Sequence, residues 1–117
     1  MKKNSRIRAR RDFLKVARSG FYFKLETMVV QCDLNRLDHW RVGFTASRKV
    51  GNAVARNKCK RRMRALADEV VASIGMKGVD YVFVARSALR FADWSSLLDD
   101  TRRAVLVLNR KLLKCSK

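Results

Sequence analysis

Apolar positions along this chain repeat with periods that change from segment to segment. Over residues 10–19, Phe13, Val16 and Ala17 stand at i, i+3 and i+4, the stripe of a short helix, with Gly20 following as a C′ residue. Residues 26–33 and 41–46 are rich in β-formers and flank a polar stretch, which predicts a hairpin of two antiparallel strands. After Gly51 the period becomes helical: Cys59, Met63, Leu66, Val70 and Ile74 form one continuous seam. Asn52 is its natural N-cap, and Gly75 and Gly78 end it after about residue 73. Residues 80–85 read as a buried strand, so strand, helix and strand make a βαβ unit. A last helix over residues 94–113 places Trp94, Leu97, Leu98, Thr101, Val105, Leu108 and Leu112 on one face, with Asp93 or Ser95 as its cap. The resulting order, α-β-β-α-β-α, predicts a small α/β (α+β) two-layer sandwich with helices packed on a sheet.

Composition adds what the pattern lacks. The 117 residues make one domain, 1–117, without linker, repeat or low-complexity segment. With 28 Lys and Arg against 10 Asp and Glu the net charge is +18, yet 48% apolar content supplies a real core, so this is not a disordered polycation. Self-repulsion on that scale predicts a polyanionic partner, nucleic acid first. No apolar run approaches the ~20 residues that span a bilayer. Met1-Lys2-Lys3-Asn4 leads into further Arg instead of a signal-peptide core, so a cytoplasmic protein without membrane contact is expected. Cys32, Cys59 and Cys115 are odd in number and widely spaced, which fits reduced thiols, with Cys59 as core filler. His39 is the only imidazole, so a His-rich metal site is impossible, and it reads as a surface residue.

The segment Arg56-Asn57-Lys58-Cys59-Lys60-Arg61-Arg62-Met63-Arg64 carries six cations in nine positions while Cys59 and Met63 keep the apolar seam intact. At 100° per residue Arg56, Lys60, Arg64, Asn57 and Arg61 form one basic face. A merely solvated face would mix signs. Here the i,i+3 and i,i+4 neighbours repel, at a combined cost of about 1 to 2.5 kcal/mol. Phosphates would convert that repulsion into counterion release. Arg48, Lys49, Asn52 and the free N–H groups at the helix start extend the surface, and Gly51 allows close backbone approach. Aromatics lie among the N-terminal charges: Phe13 beside Arg11 and Lys15, then Phe21-Tyr22-Phe23 before Lys24. Stacking on unpaired bases and ordinary packing both account for them, while Trp40 and Trp94 read as structural. The ten acids are scattered except for Asp68-Glu69 and Asp99-Asp100, so no catalytic carboxylate cluster is visible and no protein catalytic residue is expected.

The string from Ser47 to Arg64, Ser-Arg-Lys-Val-Gly-Asn-Ala-Val-Ala-Arg-Asn-Lys-Cys-Lys-Arg-Arg-Met-Arg, closely resembles the signature of the bacterial ribonuclease P protein subunit. Arg11-Asp12-Phe13, Arg41-Val42-Gly43 and the run from Gly78 to Arg86 support the resemblance along essentially the whole chain. It implies a left-handed βαβ crossover, against the usual handedness. It also implies a ribonucleoprotein in which a catalytic RNA, with Mg2+ held mainly by that RNA, removes the 5′ leader of precursor tRNA in the bacterial cytoplasm. By position, Arg56, Asn57, Lys58, Lys60, Arg61, Arg62 and Arg64 would bind RNA, and Arg48, Lys49 and Asn52 at the helix start would extend that RNA-binding surface. Phe13, Lys15, Ala17 and Gln31 would belong to the leader cleft. No metal site in the protein alone and no small-molecule substrate are implied. Ala17 and Gln31 depart from the family, which often has aromatics there, which implies either weaker leader stacking or stacking supplied by Phe21, Tyr22 or Phe23. A ribosomal or other structural RNA-binding protein and a double-stranded DNA binder also explain +18, but not the signature string.

Overall fold

The computed structural model describes residues 5–115, so Lys2 and Lys3 of the basic start lie outside the described residues. Its elements are α1 (Arg10–Ser19), β1 (Phe21–Lys24), β2 (Met28–Leu34), β3 (Arg41–Thr45), α2 (Ala53–Leu66), β4 (Val79–Ala85) and α3 (Trp94–Cys115). α2 runs on through a π-helical stretch, Ala67–Val71, and a last turn, Ala72–Ile74; a 3-10 segment, Ser87–Phe91, precedes α3.

The class is mixed α+β as expected, with one strand more than the sequence pattern predicts. β1 pairs antiparallel with β2, Phe21 opposite Cys32 and Tyr22 opposite Gln31, so the true hairpin lies one strand earlier. Sheet order is β1-β2-β4-β3, and the predicted pairing of residues 26–33 with 41–46 does not form. β4 lies between them, antiparallel to β2 and parallel to β3. The reason is burial: six of the seven residues of β4 are buried, Val84 excepted, and only an inner strand covered on both faces provides that. The polar stretch after β2 therefore crosses the end of β4 instead of turning tightly. Backbone hydrogen bonds from Asn35 N to Gly78 O (2.8 Å) and from Gly78 N to His39 O (3.2 Å) pin it there.

The main core fills one sheet face. Met28, Val30, Cys32, Val42, Phe44, Tyr81 and Phe83 meet the seam of α2 and its extension and the Leu97, Ala104, Val105, Leu108 and Leu112 stripe of α3. α1 lies on the opposite face, where Val16 packs with Ile7 and Val82 in a smaller cluster that Phe13 and Val84 border. Helices thus pack on the single sheet, with α1 on the face away from the other two. Ala17 of its predicted stripe is exposed. Gly20 is needed for space and not for a left-handed turn: its φ is −87°, and a Cβ there would lie 2.2 Å from the Cys32 carbonyl oxygen. Beside β3, Ile7 N donates to Val42 O (3.0 Å) and Arg6 forms a parallel bridge with Val42.

Polar contacts fix the rest. Asp93, not Ser95, caps α3, its Oδ2 accepting from Ser96 N at 3.1 Å. Tyr81 donates its hydroxyl to Asn109 Oδ1 (2.6 Å) and accepts from Met76 N (2.9 Å), tying α3 to the loop after α2. Arg62 donates to Arg90 O (3.0 Å) and Ala92 O (2.6 Å), and its guanidinium stands 5.8 Å from the Trp94 ring centroid. It clamps the 3-10 segment to α2.

Two outcomes follow from these contacts. Burial pushes the Cys32 thiol up from 9.0 to about 12 and the Tyr81 hydroxyl up from 10.0 to about 12. Both groups hold their protons more tightly when folded, so their contribution is fully present below about pH 9 and is lost as pH rises toward about 12. Urea unfolding at about pH 8 and about pH 10.5 should show this loss, and a Cys32→Ala chain should lose less between the two; equal losses would remove Cys32 from the account. Arg62→Ala should cost about 2 kcal/mol of stability through its two carbonyl partners. Arg61→Ala, at an exposed site, should stay within about 0.5 kcal/mol. Equal denaturation midpoints for the two variants would place Arg62 among the free surface cations.

Candidate nucleic-acid interface

α2 starts where the sequence places its cap: Asn52 Oδ1 accepts from Ala55 N at 3.0 Å. Gly51 just before it has φ +147°, a conformation L side chains rarely adopt, and a Cβ there would lie 2.9 Å from that of Ala55. Ala55, Cys59, Met63 and Leu66 are buried, which fixes the rotation of the helix and turns its cations outward. Asn57, Lys58, Lys60, Arg61 and Arg64 are exposed, while Arg56 and Arg62 are half-buried.

The helical rotation separates these residues into two flanks and a crest. Arg56, Lys60 and Arg64 form the first flank, which meets the N-terminal segment. Burial, then the nearby Arg64 and Arg8, hold the Arg6 guanidinium below its ordinary pKa. Asn57 and Arg61 stand at the crest. Lys58 and Arg62 form the second flank with Arg90; burial raises the Cys59 thiol beneath them, and Arg90, Arg62 and Lys58 pull it back down. Arg62 differs from its neighbours because its donors already serve two carbonyls. Arg48 and Lys49 are exposed in the turn before α2. A depression of about 390 Å3 there is lined by Ser47, Lys49, Val50, Val84, Arg86 and Ser87 among others.

The sheet face that carries α1 supplies the aromatic part. Phe13 is half-buried, and its ring lies so close over Gly43 that a Cβ at that glycine would stand 2.5 Å from Cε1. It therefore both packs and forms a wall, bordering a depression of about 350 Å3 with Arg8, Arg10, Leu14 and Thr45. Thr45 is the register partner of Val84, which lines the depression at Lys49, so the two hollows adjoin across β3 and β4.

Gln31 lies on the same face, in a row that crosses all four strands as Tyr22, Gln31, Val82 and Gly43. Tyr22 is 65% exposed at the β1 end of that row. Phe21 and Phe23 point the other way and pack against the main core. Of the three aromatics left open by the sequence, only Tyr22 can serve this face. The alternation of Phe-Tyr-Phe-Lys is the signal that would have separated them.

Lys15 is turned away from Phe13. Its Nζ donates to Asp33 Oδ2 (2.9 Å) and Leu34 O (2.8 Å). It joins a polar cluster in which Arg41 holds buried Asp80 through Nε (2.8 Å) and Nη2 (2.7 Å) and approaches Asp12 at 3.6 Å. The hydrogen bond to Asp80 raises the Arg41 pKa most, against the effect of its burial. Among the described residues no group of three or more His, Cys, Asp or Glu side chains could hold a metal ion. Nor, among them, is any helix long and apolar enough to cross a membrane.

These features have counterparts in known proteins. The family model described as ribonuclease P matches residues 1–109. A ribonuclease P protein component of Ruegeria pomeroyi is 45% identical over 107 residues, covering 88% of this chain and 85% of the relative. One of Caulobacter vibrioides is 37% identical, covering 91% and 72%. The solved structure of the Staphylococcus aureus RNase P protein is similar with a TM-score of 0.74 at 27% identity, covering 88% of this chain and 94% of that one. The RNase P protein of Thermotoga maritima gives 0.70 at 33% identity, covering 90% and 96%. With a family match over nearly the whole length, relatives this similar and the same fold, the chain belongs to the ribonuclease P protein family.

Proposed function

We propose that this protein is the RNA-binding subunit of a bacterial ribonuclease P: it docks on the catalytic RNA and holds the 5′ leader of precursor tRNA while that RNA removes it. The observation that carries the reading is the joining, in one molecule, of a like-charged helix face and an aromatic-walled trough on the opposite sheet face. Repulsion along α2 costs stability in the free protein, and a polyanion removes that cost. The trough offers ring faces, which an unpaired strand can use and a duplex cannot.

In this reading Arg56, Lys60 and Arg64 neutralise phosphates from one flank, Asn57 and Arg61 from the crest, and Lys58 from the other. Arg48, Lys49 and Asn52 act at the helix start. Arg62 contributes by holding the second flank in shape. Phe13 and Tyr22 stack leader bases at the two ends of the cross-strand row, and Gln31 between them donates or accepts hydrogen bonds. Tyr22 takes the place of the aromatics missing at Ala17 and Gln31. Lys15 and Arg41 stabilise the polar end of the α1 face and do not face the leader. Mg2+ held mainly by the RNA would supply the hydrolytic chemistry in this reading; among the described residues no group of three or more His, Cys, Asp or Glu side chains could hold it. The partners are thus the catalytic RNA and precursor tRNA, in the bacterial cytoplasm.

The direct test is reconstitution: purified protein should restore precursor-tRNA cleavage by a bacterial ribonuclease P RNA at low Mg2+ and show no nuclease activity alone. Robust cleavage by RNA-free protein would sink the reading. Replacing Arg56, Lys60 and Arg64 together by Ala should weaken RNA binding while leaving thermal stability unchanged or higher. The slope of log affinity against log salt should become shallower by about 0.7 to 0.9 per lost contact. An unchanged slope would make that flank merely solvated. Tyr22→Ala removes an exposed ring and should leave the fold intact. It should cost about 1 to 3 kcal/mol of affinity for leader-bearing precursor and little for leaderless tRNA. Titration of both RNAs decides it, and equal losses would take Tyr22 out of the leader path.

A further inference from the structure

Phe91 is 76% exposed, more open than Tyr22, and lies on the 3-10 segment beside α2, outside the lining of the α1 trough. Its exposure is not the result of a loose loop. Arg62 grips the carbonyls of Arg90 and Ala92, the residues on either side of it, at 3.0 and 2.6 Å. The backbone at Phe91 is thereby fixed and the ring held outward.

The ring also has cations on it. The Arg90 guanidinium carbon stands 4.8 Å from its centroid and Lys58 Nζ 6.0 Å. Arg90 is itself placed by the helix start, its Nη1 lying 3.5 Å from where a Cβ of Gly51 would be, and its buried Nε has no hydrogen-bond partner. On the far side Phe91 borders a groove of about 430 Å3 lined by Glu26, Asp93, which caps α3, and Asp100, which pairs with Arg103 at 2.6 Å. Charge is thus divided across the ring: cations toward α2, carboxylates away from it. A polynucleotide approaching α2 is drawn to the cationic side and repelled from the acidic one.

We propose that Phe91, with Lys58 and Arg90 on its α2 side, is a stacking platform for an unpaired base of the RNA that docks on α2, with the adjoining phosphate taken by Lys58 and Arg90. The site rests on the reading of α2 as the RNA-docking helix and adds to it a single-nucleotide contact separate from the leader trough. Exposed aromatic faces flanked by cations suit a nucleotide on both counts, since the base stacks and the phosphate is neutralised. An apolar protein segment would gain from the ring but not from the cations.

The full-length protein is titrated with a bacterial ribonuclease P RNA, without precursor tRNA, at several salt concentrations. Phe91→Ala should weaken binding roughly five- to hundredfold, the range of one lost base stack. Its salt slope should be unchanged because no charge is removed, and its thermal unfolding should match that of the parent chain. Phe91→Trp should keep or improve affinity. If the parent chain binds and Phe91→Ala binds equally well, the platform does not exist although the docking role of α2 stands. A parallel loss in Phe91→Trp would likewise overturn stacking and make the site a shape contact. A Phe91→Ala chain unchanged toward RNA but altered in self-association would assign the ring to a protein partner. If the parent chain fails to bind the RNA, both the platform and the function on which it rests are overturned.

Discussion

Helix α2 repels itself, and the fold depends on what holds it in place despite that. Its cations give up about 1 to 2.5 kcal/mol in like-charge neighbours. Ala55, Cys59, Met63 and Leu66, buried on its other side, return more, at about 1.5 to 3 kcal/mol for each large side chain removed from water. The hydrophobic term wins, and it also fixes the rotation of the helix. A slip of one residue would bury Arg56 or Lys60 and is therefore forbidden. The placement of each cation on its flank follows from four apolar side chains buried beneath them.

The sequence was informative wherever one periodic stripe decided an element. α1, α2, α3 and β4 are each set by a local pattern, and Asn52 by an ordinary capping rule. What it concealed depended on partners far along the chain. β1 has only four residues, too few for alternation to stand out, and becomes a strand because β2 pairs with it. The expected hairpin failed because nothing local to residues 26–46 reveals that β4 will enter between its strands.

The same distinction governs the site. The basic residues were legible as a set, since charge and periodicity are written in the chain itself. Which of them are free was not. Arg62 looks like its neighbours until the carbonyls of Arg90 and Ala92, 28 and 30 positions away, come within reach. Lys15 looks like a companion of Phe13 until Asp33 draws it to the other flank of α1. Tyr22 gains its position from the register that lines it up with Gln31, Val82 and Gly43. The row leaves rings at both ends of one sheet face, Tyr22 at the β1 end and Phe13 over Gly43 at the other.

The short pairing of Arg6 and Ile7 with Val42 has a bearing on solubility. A four-stranded sheet has two edges, and an edge with unpaired N–H and C=O groups invites a strand from another molecule. At one margin β1 is only four residues long and ends in Lys24, which discourages such growth. At the other, β3 reads Arg-Val-Gly-Phe-Thr and has β-forming character without a charged residue in its middle. There the N-terminal segment lies along the strand, and Ile7 N takes the Val42 carbonyl. The segment that brings Arg6 and Arg8 to the basic surface is thus also a cover over an aggregation-prone margin, so proteolytic clipping ahead of α1 would leave a molecule with an open seam as well as less charge.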